Sequence, residues 1–243
     1  MAEKLYTSGD YLEKNPGWHV EESPWKARQI IKILTRNHLE PRAICEVGCG
    51  VGEVLKQLQE NMEDDCTFAG YDISPQAIEI AQSRANARLY FKLMDIQQEQ
   101  EVFFDLILVM DVVEHLEDYF SFLRAIGPKS AYKIIHIPLD LSAQTVLRRG
   151  GLLKVRNAYG HLHYFTKETA LQIVKDTGYD ILDYCYTARA LEIPGKGVAR
   201  NLLNIPRRAL FAINPELATH ALGGWSLLIL AKQHEEAQAT RAA

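Results

Sequence analysis

Cysteine is sparse. Cys45, Cys49, Cys66 and Cys185 are the only four in 243 residues, and their spacing is irregular. That excludes a disulfide frame and reads as reduced thiols. Long apolar runs are missing too, since no stretch reaches the roughly 18 residues of a membrane span. The opening MAEKLYTSGDYLEKNPG has no apolar segment, so no signal peptide is expected and the chain reads as cytoplasmic. Neither charge sign prevails. A net charge of −4 gives no global pull toward nucleic acid, so a nucleic-acid partner is not expected. No internal repeat is present. What remains is globular material. With 47% hydrophobic and 24% charged residues, the chain can bury a full core, which excludes collagen-like and disordered classes.

The hydrophobic pattern alternates strand and helix. Residues 1–40 read as a helical lead-in or lid, with Ser23 as N-cap, Pro24 in the first turn, and Ala27, Ile30, Ile31 and Leu34 on one face. Strands are expected at Ala43–Val47, Thr67–Tyr71, Leu89–Met94, Phe104–Met110, Ala131–Ile137, Ile181–Thr187 and Trp225–Ala231. Helices follow Gly52, Ser74 and Thr166, the last stopped by Gly178, and another spans Glu117–Ile126. This order predicts an α/β, doubly wound, mostly parallel sheet over 41–232. A cap at 193–215 precedes the last strand, and 233–243 forms a polar tail. Ligands of such sheets bind beyond the carboxyl ends of the strands.

The chemistry-bearing residues fall at those ends. Gly48, Gly50 and Gly52 follow the first strand, where glycine lets backbone approach a ligand and a helix start offers free N–H groups. Asp72 ends the second strand, 20 residues after Gly52, where an acid can accept from a ribose diol. A dinucleotide fingerprint would place its third glycine at position 53, which is Glu53.

Glu46-Val47-Gly48-Cys49-Gly50-Val51-Gly52 instead resembles the first motif of class I S-adenosylmethionine-dependent methyltransferases. Gly70-Tyr71-Asp72-Ile73-Ser74, Met94-Asp95-Ile96, and Phe104-Asp105-Leu106-Ile107 with Asp111-Val112-Val113-Glu114-His115-Leu116 resemble later motifs of the small-molecule branch, which includes quinone-biosynthesis enzymes. The resemblance covers about 41–187 and 225–231. It implies a seven-stranded Rossmann-like sheet, with the seventh strand antiparallel between the fifth and sixth. It also implies S-adenosylmethionine as donor and S-adenosylhomocysteine as product. By the same resemblance Gly48, Gly50 and Gly52 pass under the donor, and Glu46 holds its amino group. Asp72 takes the ribose, Asp95 the adenine amino group, and Ile73 and Ile96 the ring faces. Asp111 lines the methionyl end.

A base is needed only if the acceptor must lose a proton. His115, His136 and His163 are the candidates, with His161 beside them; His115 also reads as a helix start with a packing role and His163 as a loop contact. No metal is assigned, although Asp111, Glu114 and His115 offer hard-ion ligands. The polar-Pro-Pro-aromatic segment of amino-methylating DNA enzymes is absent after the fourth strand, as is the Pro-Cys nucleophile of cytosine-carbon enzymes. The paired-glutamate loop of protein arginine methyltransferases has no clear match.

Two segments contain no acid. Leu141–Lys167 holds Arg148, Arg149, Lys154, Arg156 and Lys167, and Ile193–Pro215 holds Lys196, Arg200, Arg207 and Arg208. Both are also apolar, with Leu152, Leu153 and Val155 in the first and Leu210, Phe211 and Ile213 in the second. A basic, greasy rim suits an anionic or lipid-linked small acceptor methylated at oxygen, with peripheral membrane contact. A solvated cap or a dimer contact would look the same in sequence. The alternatives are RNA or protein methylation, or a cofactor-binding module without turnover.

Overall fold

The computed structural model describes residues 17, 20–193 and 198–234. The expected lead-in over 1–16, Lys196, and the tail from 235 lie outside the described residues. Helix α1 spans Ser23–Arg36, α2 Glu53–Asn61, α3 Pro75–Gln82, α4 Tyr119–Ile126, α5 Ala143–Leu147, α6 Gly151–Tyr159 and α7 Lys167–Asp176. The cap comprises α8 Arg189–Glu192, α9 Val198–Ile213 and α10 Pro215–Leu222. The strands are β1 Ala43–Val47, β2 Thr67–Asp72, β3 Leu89–Leu93, β4 Phe104–Met110, β5 Ser130–Pro138, β6 Tyr179–Thr187 and β7 Ser226–Gln233.

They form one sheet in the order β3-β2-β1-β4-β5-β7-β6. β1 pairs in parallel with β2 (Cys45 opposite Ala69) and with β4 (Cys45 opposite Ile107). β7 lies antiparallel between β5 and β6, as the family resemblance implied. β1 and β4 are the central strands and are covered on both faces. Leu106, Ile107, Leu108 and Val109 are fully buried, which is why β4 reads as an unbroken apolar run. Strand order reverses between β1 and β4, so their carboxyl ends diverge into a crevice. Glu46 and Gly48 stand on one side of it and Asp111 on the other.

Local signals set most element ends. Ser74 accepts from the Ala77 N–H at 3.3 Å and opens α3, and Thr166 forms a reciprocal capping box with Thr169. Ser23 does not cap α1. A 3₁₀ turn over Val20–Glu22 runs directly into the helix, so Glu22 is the cap residue; its side chain makes no capping bond and pairs with Arg189 at 2.8 Å, and Ser23 is buried inside the first turn. β7 extends to Gln233, two residues beyond the expected strand, because its register with β6 carries Gln233 to Tyr179.

The cap is larger than 193–215, continuing through α10 to Leu222. Its small core joins Ala188, Leu191, Ala218 and Trp225, with Phe211 stacked on Trp225 at 5.4 Å. Arg207 ties α9 to Gln144 Oε1 at 2.8 Å and to the Leu222 carbonyl at 3.2 Å, and Arg208 donates to the Leu191 carbonyl. Glu192 of α8 accepts from Trp25 Nε1 and Gln29 Nε2, each at 2.8 Å. The cap entrance and α1 are thereby locked together. No helix among the described residues is long and apolar enough to cross a membrane.

Candidate active site

The crevice is a cavity of 1270 Å³ walled by the carboxyl ends of the central strands. The first glycine turn builds its floor. Gly48 has φ 68° and donates to the Tyr71 carbonyl at 2.8 Å. A Cβ there would stand 2.6 Å from Val112 Cγ2, so no larger residue fits. Gly50 donates its N–H to Asp72 Oδ2 at 2.8 Å, and the Ser74 N–H reaches Asp72 Oδ1 at 2.8 Å. The Asp72 carboxylate is thereby fixed at the end of β2 with acceptor capacity left on each oxygen. Burial raises its pKa, against the pull of those amides.

Glu46 points from β1 into the same space. It is 2% exposed, and its Oε2 accepts no hydrogen bond. Burial pushes its carboxyl up to about 8, against the attraction of Lys26 and with the help of Asp72 and Asp111. A buried carboxylate oxygen without a donor is an open socket for a cationic or N–H group.

Asp111 stands across the crevice at φ 57°. Its Oδ1 accepts from His136 Nδ1 at 2.6 Å and its Oδ2 pairs with Lys26 at 2.6 Å. Burial opposes its ionisation, but His136 and Lys26 outweigh that and hold it well below the usual carboxylate range. Lys26 was not among the sequence candidates. It comes from α1, and burial would lower its pKa, but Asp111, Glu22 and Glu46 raise it instead. The available signal was a lysine set among buried residues of an amphipathic helix, between Trp25 and Ala27.

Several expected positions are elsewhere. Ile96 is fully buried in the core beside Cys45 and Tyr71, so it cannot face a ring in the cavity; Leu93 and Met94 stand on that wall beside Ile73. Asp95 does line the cavity, but Oδ1 accepts from the Gln97 N–H at 2.9 Å and Oδ2 from Gln97 Nε2 at 3.0 Å. Gly52 turns away from the cavity, and its missing side chain makes room for the Phe91 ring.

The histidines separate. His136 is 3% exposed and its other nitrogen lies 2.8 Å from Thr187 Oγ1, so both nitrogens are engaged. His163 donates to the Leu116 carbonyl at 2.9 Å and packs against Tyr119, a loop contact off the cavity wall. His115 and His161 do line the cavity. Burial and the neighbouring His161 push His115 down to about 4. Glu114 is fully buried there, and burial with the nearby Asp111 holds its carboxyl far above the usual range.

Comparison with known proteins gives the family and the fold. A family model described as a methyltransferase domain matches residues 21–184. Ajmaline N-methyltransferase of Rauvolfia serpentina is 31% identical over 115 residues, covering 42% of this chain and 39% of that protein. The match thus spans about two fifths of that curated relative. Among solved structures, the plantazolicin methyltransferase BpumL with S-adenosylhomocysteine has a TM-score of 0.63 at 15% identity, covering 96% of this chain and 94% of that one. Magnesium protoporphyrin IX methyltransferase from Synechocystis PCC 6803 with bound S-adenosylmethionine has a TM-score of 0.59 at 14% identity, with the same coverage. At those identities the likeness is one of fold.

Proposed function

The chain belongs to the methyltransferase-domain family, and from that premise we propose that it transfers a methyl group from S-adenosylmethionine to an oxygen of a small acceptor. One observation carries the donor reading. The Glu46 carboxyl, whose Oε2 has no partner, and the amide-held Asp72 carboxylate open onto one cavity at the sheet's switch point. Glu46 suits the donor's amino group and Asp72 its ribose diol. The Gly48–Gly50 backbone lets the donor lie close, and Asp111 with Lys26 bounds the methionyl end. Ile73, Leu93 and Met94 offer apolar wall to the adenine, and Asp95 an acceptor.

S-adenosylmethionine supplies an already activated sulfonium methyl, so the protein's task is alignment and exclusion of water. The tie between α1 and α8 holds two residues of the cavity wall, Lys26 and Arg189, on neighbouring helices. Product formation leaves S-adenosylhomocysteine in the same residues.

The acceptor reading rests on the cap. Arg148, Arg149 and Arg156 are exposed on α5–α6, together with Val146, Leu147 and Leu153. Ile205, Ile213 and Leu217 are exposed on α9–α10, which pack against α5. α6 runs from this rim to Tyr159, on the cavity wall. A basic, greasy surface leading into the site suits an anionic or lipid-linked acceptor taken at the cytoplasmic face of a membrane. Not every basic residue expected there is free for it. Arg207 and Arg208 hold the cap together, and Lys167 pairs with Glu216 at 2.5 Å.

The test is transfer of labelled methyl from S-adenosylmethionine into fractionated extract, with mass spectrometry of the product. Label in an anionic lipid or small acid supports the reading, whereas label in RNA or protein replaces the acceptor assignment. Calorimetry isolates the donor step. A charge-assisted bond to the ribose is worth about 1.5–3 kcal/mol, so Asp72→Ala weakens S-adenosylhomocysteine binding about tenfold to a hundredfold. Wild type that binds NADH in place of S-adenosylhomocysteine refutes the donor.

A further inference from the structure

The cavity holds a second polar cluster, to which the donor reading gives no role. Glu114, His115 and His161 each offer one ligand atom, and all three atoms lie within 4.8 Å of one another. Glu114 is completely buried, and neither carboxylate oxygen accepts a hydrogen bond. His115 Nε2 faces Glu114 Oε1 at 3.8 Å. That separation is too long for a hydrogen bond. Two ligands sharing one ion through bonds of about 2.0–2.2 Å stand roughly 3–4 Å apart, so the gap has the size of an ion.

The surroundings orient the three groups. The Glu114 carbonyl accepts from Leu162 N–H at 2.7 Å and His163 N–H at 3.2 Å, which pins the His161 loop against the Val113–His115 turn. His161 Nδ1 donates to Asp140 Oδ2 at 2.6 Å, leaving Nε2 as its second ligand atom. The Gly160 backbone hydrogen-bonds the His115 ring. The two rings meet edge to face, with centroids 4.9 Å apart. A carboxylate behind a ligating imidazole is the usual support of a metal-bound histidine. Two imidazoles and one carboxylate suit first-row transition ions, whereas Mg²⁺ and Ca²⁺ take oxygen ligands.

A contrast shows what sets this cluster apart. Glu168, Glu216 and His220 also lie together, but all are exposed. His220 Nε2 donates to Glu168 at 3.0 Å and Lys167 neutralises Glu216, so that group is complete as an ion-pair network. Among the described residues, no lysine or arginine pairs with Glu114 in the buried cluster.

We propose that Glu114, His115 and His161 bind one first-row divalent cation of the Zn²⁺ or Co²⁺ kind, with Asp140 positioning His161 and with open coordination toward the cavity. Binding of the ion stands on this geometry alone. Its use in methyl transfer rests on the function proposed above. An acceptor hydroxyl on such an ion ionises near neutral pH, and its proton passes to solvent. An oxygen lone pair then forms the O–CH₃ bond as the C–S bond breaks, and that electron pair stays on sulfur.

Full-length protein, stripped with chelator, is titrated with Co²⁺ and followed by calorimetry and visible absorption. The expected result is one ion per chain with the absorption bands of imidazole–oxygen coordination. Glu114→Gln and His161→Asn each weaken binding about tenfold or more, and Asp140→Asn does so by about 10–100-fold. Circular dichroism and S-adenosylhomocysteine affinity stay at wild-type values. Wild type that binds S-adenosylhomocysteine but shows no saturable Co²⁺ or Zn²⁺ binding overturns the proposal, whatever the variants do. Unchanged Co²⁺ affinity in Glu114→Gln and His161→Asn overturns it equally. Wild type that binds Co²⁺ as described but not S-adenosylhomocysteine upholds the metal site and refutes the donor assignment instead.

Discussion

Lys26 Nζ lies 2.6 Å from Asp111 Oδ2, joining the first described helix to the end of the central strand β4. The other oxygen of Asp111 takes the His136 ring at 2.6 Å. Asp111 has φ 57°, a left-handed conformation that costs a non-glycine residue about 1–2 kcal/mol. The two contacts hold it there. The lysine therefore does two jobs: it neutralises the Asp111 carboxylate on the cavity wall and ties α1 to the end of β4.

Lys26→Met leaves Asp111 with one partner in place of two. Loss of one member of a buried ion pair costs about 3–5 kcal/mol. Here the expected loss is smaller, about 2–3 kcal/mol, because His136 remains and the Asp111 side chain is 28% exposed. Urea denaturation of Lys26→Met, Asp111→Asn and the double variant measures it. The double variant should lose about 1–2 kcal/mol less than the two single losses together. Simple additivity would mean that the pair has no energetic coupling.

Glu46 predicts a pH effect of definite sign. In the folded chain it keeps its proton up to about 8, whereas its ordinary value is 4.5. Between those values the folded state binds a proton that the unfolded chain has released. Its contribution to stability is complete below 4.5 and is lost as pH rises toward 8. Glu46→Gln has no proton to lose. The variant should therefore gain on wild type by at most about 1.4 kcal/mol per pH unit between pH 5 and 8, with no further gain above. Parallel stability curves for the two proteins would show that Glu46 ionises at an ordinary pH in the fold.

The sheet was legible because its central strands are apolar runs punctuated by glycine and aspartate. β1 and β4 have the expected ends, and outer strands differ by one or two residues where hydrogen bonding continues into polar positions such as Tyr179 and Gln233. The glycine turn and Asp72 were legible because close approach and a strand-end acid leave local marks. Lys26, Arg189 and His161 join the cavity from elements distant in sequence, and no local spacing reports that. Ile96 was misplaced because its motif fixes chain position and not which way a side chain turns. The Glu114 cluster was half visible. His115 adjoins it in sequence, but His161 reaches it only through the loop pinned by the Glu114 carbonyl.

Gly52 separates packing from ligand contact within the glycine turn. It has φ 78°, and an added Cβ would stand 2.4 Å from the Phe91 ring. Gly52→Ala combines left-handed strain of about 1–2 kcal/mol with overpacking of about 1–3 kcal/mol, so a loss of about 2–4 kcal/mol is expected. Phe91→Leu in the same chain should return about 1 kcal/mol or more by relieving the contact. Thermal denaturation of the four proteins reads both effects. A Gly52→Ala protein of wild-type stability but weakened S-adenosylhomocysteine binding would place this glycine against the donor instead.

The cap makes the last prediction, and the structure decides which residues can test it. Arg207 and Arg208 are unsuitable, because reversing them would break the bonds to Gln144, Leu222 and Leu191. Arg148 and Arg149 are exposed beside Leu147, which is 85% exposed, and Leu153, which is 63% exposed. Each basic residue near an anionic surface contributes about 1 kcal/mol. Arg148→Glu/Arg149→Glu should therefore weaken binding to anionic liposomes about tenfold to a hundredfold at low salt. The defect should shrink in salt, since surface charges are screened over about 10 Å at 0.1 M. Leu147→Ala/Leu153→Ala should weaken the same binding with little salt dependence, because that contribution is apolar area. Co-sedimentation at two salt concentrations distinguishes the two sets. Donor affinity should not change in either, since neither set touches Glu46 or Asp72. If wild type ignores anionic and neutral liposomes alike, the rim is a solvated cap, and the acceptor is a soluble molecule held inside the cavity.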